Sequence, residues 1–204
     1  MNFEQMKLNR DTFGSSENCG AVISSQEAYD LVREWVTNEK LITHMQQVGH
    51  LMKRYAASKE YSLPDQHRWY LAGLLHDADW EKWPDMHCNK IVEELEKRKL
   101  DPEIIRAIAS HGPKYFGVDP VSEMDKMLYA FDELSGLIHA YSLMRPEGYV
   151  GMEVKGVKKR LKDKNFAAQV SREDIADAAL RAQIELDELI KFVIIHQMDA
   201  NSLE

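Results

Sequence analysis

Apolar residues along this chain recur at helical intervals and almost never alternate, a pattern that predicts helices without sheet. From Ser24 onward, Tyr29, Val32, Trp35, Val36, Met45, Val48, Leu51, Met52 and Tyr55 return every few positions, and Ser24 with Glu27 has capping-box spacing. This stretch reads as one long helix or two abutting ones. Pro64 and Asp65 open a helix running through Tyr70-Leu71-Ala72-Gly73-Leu74-Leu75 to His76, followed by a polar, tryptophan-bearing segment from Asp79 to Met86. Asn89 to Lys99 reads as a charged surface helix. Asp101-Pro102-Glu103 supplies the N-cap, proline and acid of a helix through Ile104 and Ile108 to His111, stopped by Gly112-Pro113. Pro120 and Ser122 precede a helix through Leu128, Phe131, Leu134 and Ile138 that ends near Arg145-Pro146, and a last helix runs from Ser171 or Arg172 through Ile175, Leu180, Ile184, Leu189 and Val193 to Ile194. Residues 1–23 mix charge with Gly14, Ser15, Ser16 and Gly20 without period, which predicts a loose arm or a short docking segment. The expected fold is all-α: one helical domain over 24–200, with its core at about 24–145 and a basic segment and final helix over 146–200.

Composition narrows this further. A chain of 204 residues with 44% hydrophobic content can bury one real core, so one domain and one active site are expected. A net charge of -8 argues against coating nucleic acid or an anionic membrane, since neutralising phosphates needs a basic face. No apolar run is long enough to span a bilayer, and Met1 to Arg10 lacks the basic-then-apolar order of a signal peptide, so a soluble cytoplasmic protein is expected. Cys19 and Cys88 form no CxxC pattern and indicate neither a disulfide framework nor a thiolate zinc knuckle. The apolar stripes leave room for a homodimer.

Candidate chemistry gathers around His76 and Asp77, an imidazole and a carboxylate adjacent at a helix end. Mixed nitrogen and oxygen ligation suits Zn, Mn, Fe, Co or Ni. His44 shares a helical face with Val48 and Leu51 and should point inward. Asp132 lies on the face of Leu128 and Gly136, where an ionised carboxylate costs several kcal/mol unless a cation or donor meets it. Gly73 weakens its helix by roughly 1 kcal/mol relative to alanine, which is tolerable if it lets another helix approach closely. Taken singly, His44 can be a hydrogen-bonded core histidine, His111 a helix C-terminal cap, His87 a surface residue and Asp132 a solvated one. Their joint order with His76-Asp77, each at a helix face, helix end or adjoining loop, favours a metal site. Lys155, Lys158 and Lys159, in a basic run reaching Lys164, can with Arg145 rim that site to attract phosphate, or form a solvated helix face. Trp80 and Trp83 can wall the pocket or simply pack. His139 can support Asp132 from two turns away.

The ordered set His44, His76-Asp77, Asp132 resembles the HD superfamily of helical metal-dependent phosphohydrolases over about residues 24–145. The runs Leu71-Ala72-Gly73-Leu74-Leu75-His76-Asp77-Ala78-Asp79-Trp80 and Asp132-Glu133-Leu134-Ser135-Gly136-Leu137-Ile138, with Met144-Arg145-Pro146 and Lys164-Asn165-Phe166-Ala167, are similar to a bacterial and archaeal subgroup of predicted HD hydrolases. The resemblance implies that His44, His76, Asp77 and Asp132 hold one divalent ion, with His87 and His111 added for a second and Asp77 bridging. It further implies hydrolysis of a small phosphate ester or nucleotide by metal-activated water. Asp77 and Asp79 are the expected catalytic acids, Asp79 as a general acid/base or water-orienting group, or else as support for a ligand histidine. The same six-residue set also resembles di-iron oxygenases, and a non-catalytic nucleotide-sensing module is a further alternative.

Overall fold

Most helices begin where a side chain can satisfy their first amides. The computed structural model describes residues 3–10, 12–14 and 20–200, with 198–200 described by backbone alone. Its helices are α1 (Phe3–Met6), α2 (Ser25–Trp35), α3 (Glu39–Ser58), α4 (Leu63–Leu75), α5 (Asn89–Lys97), α6 (Pro102–Ala109), α7 (Pro113–Phe116), α8 (Glu123–Ser142), α9 (Val154–Lys162), α10 (Arg172–Ala182) and α11 (Leu186–Ala200), with a 3₁₀ turn at Pro84–Met86. Ser24 with Glu27 and Ser122 with Asp125 form capping boxes on α2 and α8, and Asn38, Ser62, Asp101 and Ser171 cap α3, α4, α6 and α10. Among the described residues there is no strand, only one isolated bridge between Ala21 and Leu100, so the fold is an all-α bundle.

The apolar stretch from Ser24 to Tyr55 forms two helices, broken at Val36-Thr37-Asn38. Glu81 secures that break: its carboxylate accepts from the Thr37 and Asn38 amides at 3.0 and 2.8 Å and from the Thr37 hydroxyl at 2.6 Å. The final stretch, expected as one helix, is two. Gln183 adopts a φ of +56°, and the amides of Gln183 and Ile184 turn back to the carbonyls of Leu180 and Ala179 at 3.1 and 3.2 Å, a glycine-type ending without glycine. Neither Gly nor Pro marks this break, so the periodicity continues across it. The helix expected to be charged and superficial, α5, buries Ile91, Val92 and Leu95 fully and is charged only on its other side.

The centre of the bundle is α3, α4 and α8. Gly49 and Gly73 face one another so closely that a Cβ on Gly73 would lie 2.6 Å from the Gly49 N and Cα atoms. Burial of Leu71, Leu74 and Leu75 around this contact contributes about 1.5–3 kcal/mol per side chain. The close approach sets His44 of α3 beside His76 at the end of α4. The described residues of the N-terminal segment lie against the body, Leu8 donating its amide to the Phe116 carbonyl at 2.9 Å. Cys19, Ser15 and Ser16 lie outside the described residues. Cys88 is a buried free thiol. Among the described residues no helix is long and apolar enough to cross a membrane.

Candidate metal centre

Six side chains meet inside the bundle, delivered by different elements. His44 projects from α3 and Asp132 from α8, His76 caps α4 with Asp77 just beyond, His87 follows the 3₁₀ turn, and His111 follows α6. They form two groups, His44-His76-Asp77-Asp132 and Asp77-His87-His111, within each of which all the ligating atoms lie within 4.8 Å of one another. Asp77 belongs to both and divides its oxygens. Its Oδ2 lies 3.4 Å from His76 Nε2 and 3.8 Å from His44 Nε2, while its Oδ1 lies 3.3 Å from His87 Nε2 and 3.6 Å from His111 Nε2. Asp132 Oδ1 completes the first group at 3.0 Å from His44 Nε2 and 3.4 Å from His76 Nε2.

Proton accounting tests whether a cation fits. His76 Nδ1 donates to the Gly73 carbonyl at 2.8 Å, which in a neutral ring leaves Nε2 a bare lone pair. That Nε2 is buried without a hydrogen-bond partner, aimed at the carboxylates of Asp77 and Asp132. His111 Nδ1 donates to the Ile108 carbonyl at 2.5 Å and His87 Nδ1 to Asp79 Oδ1 at 2.6 Å, yet their Nε2 atoms face each other at 3.3 Å. Converging lone pairs and carboxylates demand positive charge between them, which a proton or a divalent cation supplies. Burial opposes charge on His76, but Asp77 and Asp132 outweigh it and hold its pKa well above the ordinary histidine value. For His87, too, burial is overcome, chiefly by Asp79, and the pKa rises. Asp77, despite burial, is held well below the usual carboxylate range by His76, His111 and His87, and Asp132 is held down by His44 and His76. The donor set fits one or two divalent transition ions.

Asp79 is fully buried, and both its oxygens are engaged: Oδ1 by His87 and Oδ2 by the Ile91 amide at 2.9 Å, inside the first turn of α5. It stands behind His87 rather than facing the cavity.

The two groups open into a cavity of about 690 Å³. Its walls include Trp80, whose ring meets His87 edge-on at 4.9 Å, whereas Trp83 packs on Trp35. Arg145, Lys155, Lys158 and Lys159, expected as a phosphate-attracting rim, do not line it. Arg145 is turned back onto the Gly148 and Val150 carbonyls, each at 2.8 Å, and the three lysines line a separate cleft where Lys158 pairs with Asp187 at 2.8 Å. The turn after α8 carries α9 away toward α11, a displacement that helix periodicity does not encode. Among the described residues, the cation that does line the cavity is Lys40, one turn before His44. Its i, i+4 relation to His44 was available from spacing. Phe3, Met6, Tyr115, Tyr129, Gln169 and Asp174 also line the cavity and left no local signal in the sequence. Glu133 lines it too, accepting the Ser171 amide at 3.1 Å, and burial together with Asp132 pushes its pKa up to about 8. His139 bonds the Tyr149 hydroxyl at 2.8 Å and the Gln47 amide at 3.2 Å, and lies near enough to His44 for their charges to interact.

Residues 41–137 match the HD domain family. Residues 41–137 are an HD domain. The match begins three residues before His44 and ends five after Asp132, so it contains all six members of the cluster. HD-domain proteins are mostly metal-dependent phosphohydrolases. No curated protein and no solved structure gives a significant match to the chain. The N-terminal segment, α9, α10 and α11 lie outside the matched residues.

Proposed function

We propose that this HD-domain protein is a metal-dependent phosphohydrolase acting on a small phosphate ester or nucleotide. The observation that carries the reading is the division of Asp77 between two groups whose imidazole Nε2 atoms converge with carboxylates on one buried space, with His76 and His111 each bonding a backbone carbonyl through Nδ1. His44, His76, Asp77 and Asp132 would hold one divalent ion, and His87 and His111 with Asp77 would hold a second. Bound there, such ions supply an acidified water as nucleophile near neutral pH and offset charge on phosphoryl oxygens.

The chain's own residues do the positioning. The Gly73 and Ile108 carbonyls fix the tautomers of His76 and His111, so that each presents Nε2 to the site. Asp79 is a positioning residue that orients His87, not an acid/base. Lys40 meets the phosphate as a point charge at the cavity wall. Trp80 and Phe116 flank the histidine rings and exclude water from that side.

The test is phosphate release under anaerobic conditions by protein loaded with Mn, Fe, Co or Ni, against phosphate monoesters and nucleotides, with Asp77→Ala as control. Metal-dependent release that the substitution abolishes supports the reading. Turnover that requires oxygen, or tight nucleotide binding without product, refutes it.

A further inference from the structure

Phe3 and Met6 come from outside the HD match, yet both line the metal cavity. They end a continuous aromatic wall that begins at the ligands. The Phe116 ring lies 5.1 Å from His87 and 4.9 Å from His111, Tyr115 adjoins Phe116 at 6.4 Å, and Phe3 stacks on Tyr115 at 5.3 Å. Met6 is buried against this wall at 2% exposure.

The segment bearing them is held by polar anchors outside the cavity. The Asn89 amide donates to the Gln5 and Met6 carbonyls at 3.1 and 2.9 Å, two residues after the ligand His87. Arg10 forks the Glu96 carboxylate at 2.8 and 2.7 Å, and Glu96 also takes the Gly14 amide at 2.8 Å. A bidentate guanidinium-carboxylate pair fixes direction as well as distance. The position of Phe3 is therefore specified by directional bonds, not by apolar burial alone.

Charge narrows what the wall can receive. Among the described residues lining the cavity Lys40 is the one cation of the lysine or arginine type, while Asp174 adds a carboxylate and Glu133 a carboxyl group of raised pKa beyond the ligands. A chain of phosphates brings several negative charges to one lysine. A single phosphate with an uncharged organic remainder meets no such mismatch.

We infer that residues Phe3 to Arg10 form the specificity wall of this site, selecting phosphate monoesters whose uncharged, flat organic group lies against Phe3, Tyr115, Phe116 and Trp80. The substrate class rests on the hydrolase reading above. Phe3 and Met6 bound the size of that group, and Arg10, through Glu96, positions them.

The experiment compares hydrolysis of phenyl, naphthyl and biphenyl phosphates and a nucleoside triphosphate by the metal-loaded full chain and by Phe3→Ala and Arg10→Ala. Phe3 is 49% exposed, so its truncation removes no core side chain. The parent prefers the aryl monoesters to the triphosphate, and each variant raises the biphenyl-to-phenyl ratio of kcat/KM by about tenfold, within the range that a shape-limited apolar pocket commands. Preference for the triphosphate, or a ratio unchanged in both variants, overturns the inference. Should the parent hydrolyse no ester, the hydrolase reading fails and the wall is judged separately, by the rates at which phenanthroline and its bulkier diphenyl derivative strip cobalt from the protein. Selective acceleration of the bulkier chelator in Phe3→Ala supports the wall, and equal rates overturn it.

Discussion

Gly73→Ala tests whether close helix contact is what assembles the ligand set. A Cβ at Gly73 would sit 2.6 Å from Gly49 backbone atoms, 0.8 Å short of the 3.4 Å at which ordinary contact begins, and backbone cannot swing aside as a side chain can. Separating α3 from α4 to make room costs about 1–3 kcal/mol, as overpacking generally does, and the helix preference for alanine over glycine returns at most about 1 kcal/mol. The expected net loss is about 1 kcal/mol, which lowers Tm by roughly 2–4 °C in a chain of this size. Two other glycines calibrate the reasoning. Gly49→Ala places its Cβ 3.0 Å from the Tyr70 carbonyl oxygen, a milder clash that the helix preference about cancels. Gly136→Ala, one turn beyond Asp132 on α8, meets nothing within 4 Å and should stabilise by about 0.5–1 kcal/mol. The same parting of α3 from α4 draws His44 from His76 by more than the roughly 0.5 Å that a ligand geometry tolerates, so the first metal is lost along with stability. Thermal unfolding of the three variants, with calorimetric Mn titration, reads both effects. A Gly73→Ala protein as stable and as fully metallated as the parent would show that the helices are not locked at this contact.

The other predictions concern the ligands and their supports. Asp77→Ala abolishes metal loading and phosphate release together, and an active, fully metallated variant ends the ligand assignment. His87→Ala lowers the metal content by one ion per chain in elemental analysis, and an unchanged count forces a one-metal site. Asp79→Asn sets an amide N–H against either His87 Nδ1–H or the Ile91 amide, destabilises the fold by about 1–3 kcal/mol and weakens the second metal 10- to 100-fold by roughly the measure of other supporting carboxylates. Parent-like affinity of that metal in a calorimetric titration counts against it. In chelator-treated protein, the raised pKa of His76 contributes stability that is full below its unfolded value and is lost as pH rises through the folded one, while the lowered pKa values of Asp77 and Asp132 contribute stability that is lost as pH falls. Tm then declines on both sides, and added Mn removes the alkaline decline. A Tm that stays flat through the alkaline range without metal contradicts the charge balance drawn for His76.

What could be read from the sequence depended on how each residue is placed. His44 and Asp132 sit inside long helices, so the helical period alone orients them inward, and Gly73 in its apolar run marked the close contact before any neighbour was known. Lys40 obeyed the same period, four residues from His44, and was equally readable. Where loops decide, spacing gave little. The turn after α8 removed Arg145 and the α9 lysines from the site, and Gln183 ended a helix in a conformation usually left to glycine. The placement of Phe3 and Met6 depends on Arg10 meeting Glu96 and on Asn89 reaching back 83 and 84 positions, pairings that no local pattern encodes. His87 marks the boundary between the two cases. It lies in a loop, and only its place in the order of the other candidates and the family resemblance singled it out, yet Asp79 eight residues earlier ties it to the first turn of α5. The first candidate group is thus written in helix periodicity, and the second depends on one buried carboxylate that joins a loop to a helix.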